Sequence, residues 1–370
     1  MATTPTVRKT ALNSIHRQMG ARMVDFAGWD MPVQYRGPIP EHMAVRTGAG
    51  LFDVSHMGEL ELRGPDAEAA AQRLTPNDVR RLAVGQCQYS ALTTSEGTFV
   101  DDVLVYCIGR DRFFLCVNAA NSAKDYEWIR AEARGNLAVL DRSDEFTQLA
   151  LQGPRAADIL QPLTELDLGA MRSYWFAFGR VAGIDALVSR TGYTGEDGFE
   201  VYFDPRHSET VWSRILEAGR PFGIEPAGLA ARNTLRLEAR LLLYGNDIDE
   251  TTTVLEADLG WICKFDKGEF IGREALLRQR ETGPPRKLAG FEMVERGIAR
   301  DRYPVDLDGR RIGRVTSGGP APFLKTNIGL TYLPAERCAV GTELAVVIRG
   351  EPARARVVPT PFYKRARAAR

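Results

Sequence analysis

The sequence predicts an α+β fold followed by a smaller all-β unit, and three observations support this. Strand-like and helical segments intermix without a strict β-α-β repeat, which argues against a doubly wound parallel sheet. Residues 280–287 contain Gly283 and the pair Pro284-Pro285, and a double proline indicates a linker because it cannot continue a helix. The remaining residues, about 85, read as short strands separated by Gly and Pro, which is typical of a small barrel or sandwich.

The first predicted element is a helix from Thr10 to Met19, with Thr10 as its N-cap and Gly20 at its end. Next, the segments Val100 to Ile108 and Arg112 to Asn118 are predicted to form a hairpin. Three later helices are predicted at Ser122 to Arg134, Arg155 to Leu163 with Pro154 at its first position, and Gly228 to Tyr244, the longest helical pattern.

The composition restricts the class of protein. The chain has 370 residues, 44% of them hydrophobic and 26% charged, as in a soluble protein with more than one core. Basic and acidic residues are equal at 48 each, so bulk electrostatics favours neither a nucleic acid nor a membrane as partner. No apolar run is long enough to predict a membrane span, and the first ten residues lack the apolar core of a secretion signal.

The cysteines and histidines predict neither disulfides nor a metal site. The five cysteines are odd in number and contain no C-x-x-C pair, which favours a reducing compartment, and we expect the cytoplasm. The four histidines are scattered without H-x-x-x-H spacing, so no metal site can be assembled from the sequence.

The segment LVSRTGYTGEDGFEVYF, residues 187–203, is the most informative in the chain. Two strand-like runs flank a connector that contains Gly192, Gly195 and Gly198, which allow sharp turns and a close approach to a ligand. The connector lacks the Gly-Lys-Ser/Thr of a phosphate loop, and it leads to a strand rather than to the helix of a dinucleotide site. Tyr193 and Glu200 beside it suit a flat heterocycle with N–H donors; a decorated hairpin without a ligand is the alternative.

Two further positions could carry chemistry. Asp101 and Asp102 begin an apolar strand, and strand geometry sends their side chains to opposite faces. Asp102 shares its face with Tyr106, which makes that face the more plausible ligand surface, although the two acids could simply begin a strand. Arg232 lies on a mostly apolar stripe of its predicted helix, where it is either a residue that reaches solvent at a helix end or a functional one.

Several segments resemble, in order, the aminomethyltransferase (T-protein) family of the glycine cleavage system. They run from about Thr10 to Tyr363 and include SRTGYTGEDGFEVYF, MVDFAGWDMPVQY, MAVRTGAGLFDVSHMGELELRGP, VDDVLVYCIGRDRFFLCVNAANSAKD, PAGLAARNTLRLEARLLLYGNDID and TSGGPAP. The resemblance implies a three-domain clover-leaf arrangement around a central channel. Residues 1–282 would form two interleaved α/β subdomains that bind folate, and residues 286–370 a C-terminal β-barrel.

The resemblance also assigns residues. It makes Asp102 the essential aspartate beside the folate nitrogens, and Glu200 the carboxylate that accepts the pterin 2-amino and N3 hydrogens. Arg232 becomes a catalytic or folate-binding residue. The rest of the folate pocket is carried over to Met57, Tyr89, Tyr106, Asn118, Tyr193 and Trp261, the last of which could equally be a core aromatic. The chain departs from the family at Asn233, where Asp is common, and at Arg240, where Gly is common.

The implied activity is an aminomethyl transfer. The methylene of an aminomethyl group on the lipoyl arm of H-protein would pass to tetrahydrofolate, a co-substrate, releasing ammonia and giving 5,10-methylenetetrahydrofolate. One alternative is a folate-dependent demethylase of a small sulfonium or N-methyl substrate, which would need no lipoylated carrier. Another is a non-catalytic folate-binding accessory protein of iron–sulfur assembly; the K-G-C-Y-x-G-Q-E motif typical of those relatives does not occur here.

Overall fold

The computed structural model describes residues 7–366, and the fold within them is α+β with a closed barrel at its C-terminal end. Residues 1–6 and 367–370 lie outside this range. Residues 1–6 are part of the ten-residue segment in which the sequence showed no apolar core of a secretion signal. The helices are α1 (Asn13–Gln18), α2 (Pro38–Thr47), α3 (Ala67–Leu74), α4 (Ser122–Glu132), α5 (Ala156–Leu160), α6 (Ser208–Gly219), α7 (Leu229–Glu238) and α8 (Arg273–Thr282).

The strands before the barrel form three sheets, and those of the barrel follow the linker. The former are β1 (Arg22–Phe26), β2 (Trp29–Gln34), β3 (Ala49–Asp53), β4 (Gly58–Arg63), β5 (Gln86–Thr93), β6 (Phe99–Gly109), β7 (Arg112–Val117), β8 (Ala138–Asp141), β9 (Thr147–Gln152), β10 (Phe176–Val181), β11 (Ile184–Ser189), β12 (Gly198–Phe203) and β13 (Ile224–Pro226). The barrel strands are β14 (Arg286–Met293), β15 (Pro304–Leu307), β16 (Arg310–Ala321), β17 (Thr326–Pro334), β18 (Glu343–Ile348) and β19 (Glu351–Val357).

The two large sheets are interleaved along the chain. A six-stranded sheet has the order β10-β11-β12-β9-β3-β13, and a five-stranded antiparallel sheet has the order β5-β6-β7-β4-β8. The chain therefore leaves the first sheet after β3, builds the whole of the second, and returns at β9. The hairpin predicted around residues 109–111 is confirmed as β6 and β7, which pair antiparallel.

Each sheet has its own core, and an aromatic layer lies between the two sheets. Helices α5 and α6 cover the six-stranded sheet, and Trp212 of α6 and Phe199 of β12 are fully buried between these layers. Helices α3 and α4 cover the five-stranded sheet in the same way. The opposite faces of the sheets meet through residues that include Tyr106, Phe114 and Tyr202. This contact fixes the ends of β6 and β12 close to each other, where the candidate site lies.

The barrel closes in the order β14-β17-β16-β15-β18-β19. Its contact with the rest of the chain has an apolar part, which includes Leu288 and Leu330, and a polar part around Arg236. The Arg236 guanidinium donates to Asp247 Oδ2 at 2.7 Å and to Ser317 Oγ on β16 at 2.7 Å. The barrel is thus attached to the helix that also borders the candidate site.

Three predicted helices differ from the observed ones. Helix α1 begins later than Thr10, because the Thr10 hydroxyl donates to Asp53 Oδ2 at 2.7 Å instead of capping the helix. Pro154 lies in the turn before α5 rather than at its first position, and α5 ends at Leu160. Helix α7 stops at Glu238, well before Tyr244, so α6 is longer.

No helix in residues 7–366 combines the length and the apolar character that crossing a membrane requires.

Candidate functional site

A cavity of about 240 Å³ opens where the two large sheets, helix α7 and the loops that follow α7 meet. All the predicted site residues except Tyr106 line it, namely Met57, Tyr89, Asp102, Asn118, Tyr193, Glu200, Arg232 and Trp261. A larger recess of about 580 Å³ lies between the barrel and residues 246–252, but it contains none of these residues. We therefore take the smaller cavity as the candidate site.

Tyr106 is the exception among the predicted residues. Its side chain is fully buried in the aromatic layer between the sheets, and its hydroxyl lies 3.1 Å from the Tyr202 hydroxyl. It shares a strand face with Asp102, as predicted, but the second sheet covers this part of β6. The prediction that Tyr106 lines the ligand pocket is therefore wrong, because strand alternation fixes a face but not what covers it.

Asp102 lines the cavity, and each of its carboxylate oxygens accepts a hydrogen bond from one neighbouring side chain. The Tyr89 hydroxyl donates to Oδ2 at 2.9 Å, and the Asn118 amide Nδ2 donates to Oδ1 at 2.8 Å. Burial, followed by the repulsion of the adjacent Asp101, raises the pKa of Asp102 to about 7. The group is thus oriented and can exchange a proton near neutral pH.

Asp101 points away from the cavity, so the predicted separation of the two acids is confirmed. Its oxygens accept from the Asn118 backbone N–H at 2.9 Å, from Asn118 Nδ2 at 2.8 Å and from Asn121 Nδ2 at 2.7 Å. Asp125 on α4 lies behind it, and burial and then Asp101 raise the pKa of Asp125 to about 11. Asn118 bridges the two acids, because its Nδ2 donates to both.

Glu200 is the second carboxylate of the cavity wall. Gln148 Nε2 donates to its Oε1 at 3.0 Å, and the Thr191 hydroxyl donates to its Oε2. Burial raises the pKa of Glu200, while the Thr191 hydrogen bond and the nearby Arg232 act in the opposite direction. A carboxylate has about four lone-pair sites, so each oxygen retains capacity for a ligand N–H.

The three glycines of the segment take part in a turn, as predicted for Gly195, and in a close approach to the protein itself. Gly195 has φ +81°, which glycine adopts without strain. A β-carbon on Gly192 would lie 1.9 Å from Gln152 Oε1, and one on Gly198 would lie 2.4 Å from Gln152 Nε2. The close approach is therefore to the Gln152 side chain, and it aligns the connector against β9.

Arg232 is a partly buried cation whose guanidinium makes no hydrogen bond within residues 7–366. It lies over the Tyr193 ring, with Cζ 4.3 Å from the ring centroid. Burial lowers its pKa, and Tyr193 and Glu200 oppose that shift. The Tyr193 hydroxyl donates to the Leu242 carbonyl, so this tyrosine presents its ring rather than its hydroxyl. The free N–H groups of Arg232 are available to a bound molecule.

Trp261 lies at the entrance of the cavity. Its side chain is 58% exposed, and its ring stacks on Tyr89 with the centroids 6.0 Å apart. The alternative that Trp261 is a core aromatic is therefore wrong. Within residues 7–366, no group of three His, Cys, Asp or Glu side chains is arranged to hold a metal ion.

Sequence reasoning missed Gln148 and Thr191, which position Glu200. Thr191 belongs to the connector that the sequence singled out, so its neighbourhood was a usable signal. Gln148 is on β9, which pairs with β12, and only knowledge of that register would have placed it beside Glu200. Sequence reasoning also missed Asp125. This residue lies on helix α4, which meets Asp101 on β6 only in the folded chain.

Comparisons with known proteins match nearly the whole chain to one family. Residues 12–267 match the family model of the GCVT N-terminal domain, and residues 286–364 that of the glycine cleavage T-protein C-terminal barrel domain. The chain is 54% identical to an aminomethyltransferase of Acidobacterium capsulatum, with 97% of each chain covered. It is 53% identical to one of Desulfitobacterium hafniense, with 97% of this chain and 99% of the relative covered.

A solved structure extends the similarity to the fold. The crystal structure of glycine cleavage system aminomethyltransferase T from Bartonella henselae superposes with a TM-score of 0.91 at 34% identity. The alignment covers 97% of this chain and 98% of that one. The interleaved sheets and the closed barrel are therefore shared with that structure.

Proposed function

Since the chain belongs to the glycine cleavage T-protein family and is an aminomethyltransferase, we propose that its cavity binds tetrahydrofolate and receives the lipoyl arm of the carrier H-protein. The methylene of the aminomethyl group on that arm would pass to the folate. The products would be ammonia, 5,10-methylenetetrahydrofolate and the dihydrolipoyl carrier. The observation that carries this proposal is the presence of Asp102, Glu200 and Arg232, each with spare hydrogen-bonding capacity, around one cavity.

Glu200 is the group best suited to bind the pterin ring. A pterin presents the 2-amino group and N3 as parallel N–H donors, which a carboxylate accepts as a pair. Gln148 and Thr191 fix the plane of the carboxylate from the protein side, so less conformational freedom is lost when the ring binds. Met57 and the ring of Tyr193 provide apolar surface for the pterin in the same cavity.

Asp102 is assigned to the reacting nitrogens. Tyr89 and Asn118 orient its carboxylate, and burial places its pKa at about 7. In this protonation range it can accept a proton from the folate as the new C–N bonds form. Its negative charge would also stabilise the iminium-like charge on the transferred carbon.

We propose that Arg232, in the cavity wall, orients the reactants. Its guanidinium has five N–H donors, and none of them donates to an acceptor within residues 7–366. The guanidinium lies near Glu200. Those donors can bind a carbonyl or an amine lone pair of the reactants, and its charge favours the ionised form of Glu200. We assign it both a binding and a catalytic role.

The reaction needs no reactant other than the two substrates. Folate N5 attacks the aminomethyl carbon, and the C–S bond breaks with its electron pair on the lipoyl sulfur, which takes up a proton. N10 then attacks the same carbon, the C–NH₂ bond breaks, and protonated nitrogen leaves as ammonia. Holding the two reactants in this geometry can supply up to about 7–11 kcal/mol of the acceleration.

We also place the protein in the cytoplasm. This rests on its cysteines, all free and four of them buried, which suit a reducing environment.

A binding titration and an assay together test the proposed function. Isothermal titration with tetrahydrofolate should give saturable binding at one site per chain. Production of 5,10-methylenetetrahydrofolate should then require aminomethylated, lipoylated H-protein and stop when an unlipoylated carrier replaces it. Turnover of a small methylated amine or sulfonium compound without any carrier would support the demethylase alternative instead.

A further inference from the structure

Arg240 occupies a backbone conformation that is unfavourable for an arginine. Helix α7 ends at Glu238, and the N–H groups of Arg240 and Leu241 then bond to the carbonyls of Leu237 and Arg236 at 3.0 and 2.8 Å. This is a common helix ending in which the residue at the position of Arg240 takes a left-handed conformation and is usually glycine. Arg240 adopts it with φ +55°. A residue with a β-carbon is strained there, so its side chain must contribute something else.

The guanidinium of Arg240 is only partly satisfied by the protein. Its side chain is 12% exposed, and Nη2 donates to Asp258 Oδ2 at 3.0 Å. Nε is buried and has no hydrogen-bond partner within residues 7–366. A buried N–H without a partner is costly, and in native structures such a group calls for an explanation.

Arg240 belongs to the wall of the candidate site, on the solvent side. It lines the cavity together with Leu241, Leu259 and Trp261. Trp261 is 58% exposed, and the side chain of Asp258 is 61% exposed, whereas Glu200 is 8% exposed. The cavity therefore has Glu200 in its buried part and Arg240, which is paired with Asp258, toward its exposed part.

We propose that Arg240 binds a carboxylate of the glutamate tail of the folate, and so selects for folates that carry this tail. The inference rests on the proposed function, since it assumes that the pterin ring lies against Glu200. A folate has its N–H donors at the pterin end and its carboxylates at the other, so a pterin against Glu200 would leave the carboxylates toward Arg240. The unused N–H groups of Arg240 can form paired bonds to such a carboxylate.

The test compares two ligands and three proteins. Tetrahydrofolate and the N-methylamide of tetrahydropteroate, which keeps the benzoyl amide but lacks both glutamate carboxylates, are titrated into the parent, Arg240→Gly and Arg349→Gly. Arg349 also has φ +55°, but it is exposed in the β18–β19 turn away from the cavity, so it is a matched control for the backbone effect. Thermal unfolding of each protein is measured in parallel.

We expect Arg240→Gly to weaken tetrahydrofolate binding by about 10- to 100-fold, the usual range for hydrogen bonds to a charged group. Its affinity for the N-methylamide of tetrahydropteroate should stay within about twofold of the parent, and its melting temperature should not fall, because glycine suits this conformation. Arg349→Gly should bind both ligands as the parent does.

Two results would overturn the role of Arg240. These are unchanged tetrahydrofolate binding by Arg240→Gly, or an equal loss for both ligands. A parent protein that binds neither ligand would instead refute the proposed function, and the role of Arg240 with it.

Discussion

Helix α7 borders two regions, the cavity and the junction with the barrel, and it places one arginine side chain in each. Arg236 faces the junction and is 1% exposed; its guanidinium donates to Asn233, Asp247 and Ser317. Arg232, one turn earlier, faces the cavity and has no hydrogen bond from its guanidinium within residues 7–366. This contrast shows that the hydrogen bonds a charged group makes, and not only its burial, indicate its role. A charge whose donors are all used supports the fold, and one with unused donors is available to a ligand.

Strand β6 shows the same contrast between two acids, one bonded within the protein and one facing the cavity. Asp101 is fully buried and accepts from the amides of Asn118 and Asn121, whereas Asp102 faces the cavity with a pKa raised to about 7. The contrast predicts that changes in the cavity alter activity and that changes behind it alter stability.

The largest expected effect is the loss of turnover in Asp102→Asn. This change keeps the shape of the side chain but removes its charge and its capacity to take a proton, so kcat should fall by about 10²–10⁴-fold. Tetrahydrofolate binding should change much less. Steady-state rates and titrations measure both.

Asp101→Asn is the matched control for that change. An amide at this position would face the Asn118 and Asn121 donors, so we expect a loss of stability of about 1–3 kcal/mol. Its kcat should fall less than that of Asp102→Asn. A larger loss of kcat in Asp101→Asn would reverse the assignment of the two faces.

The pH dependence of turnover should report on Asp102. Because the pKa of Asp102 in the free protein is raised to about 7 and the carboxylate is the form that accepts a proton, kcat/KM should rise with pH through about 7 and then level off. Asp102→Asn should remove this rise. A parent profile that stays flat between pH 5 and 9, with chemistry shown to be rate-limiting, would argue against the assigned role.

Glu200→Ala should weaken tetrahydrofolate binding by about 1.5–3 kcal/mol, because it removes charge-assisted hydrogen bonds. Glu200→Gln, which retains the shape and one acceptor oxygen, should lose less. Isothermal titration of both variants against the parent checks this, and equal dissociation constants for all three would remove Glu200 from the site.

The smallest expected effect concerns the linker to the barrel, where we propose a boundary between residues 1–282 and 286–370. Gly283 is exposed directly after α8 and before β14, so limited proteolysis should cut near Gly283 to Pro285 before it cuts either flank. Bound folate should slow this cut. Even cleavage along the whole chain would contradict the boundary.

The sequence predicts well what depends on local pattern. The β6–β7 hairpin followed from two apolar runs around a turn, and the opposite faces of Asp101 and Asp102 followed from the period of a strand. Short strands beyond a double proline indicated a small barrel or sandwich, and the family resemblance selected the barrel that the structure shows. The cavity itself was predicted mainly through the family resemblance.

What the sequence could not supply depends on contacts between distant segments. Tyr106 was misplaced because the second sheet covers its part of β6, and α7 was drawn too long because its apolar pattern continues past the turn at Arg240. The partners of Glu200 come from β9 and the connector, which meet only through strand pairing.

The most direct test of the contrast between cavity and junction compares Arg232→Met with Arg236→Met. For each variant, the free energy of unfolding and the dissociation constant of tetrahydrofolate are measured. Arg236→Met leaves Asp247 buried without its partner, so it should lose about 3–5 kcal/mol of stability while the folded fraction still binds folate. Arg232→Met should keep the parent stability within about 1 kcal/mol and bind folate at least about tenfold more weakly. The opposite pattern, with stability lost at Arg232 and folate binding lost at Arg236, would contradict the account.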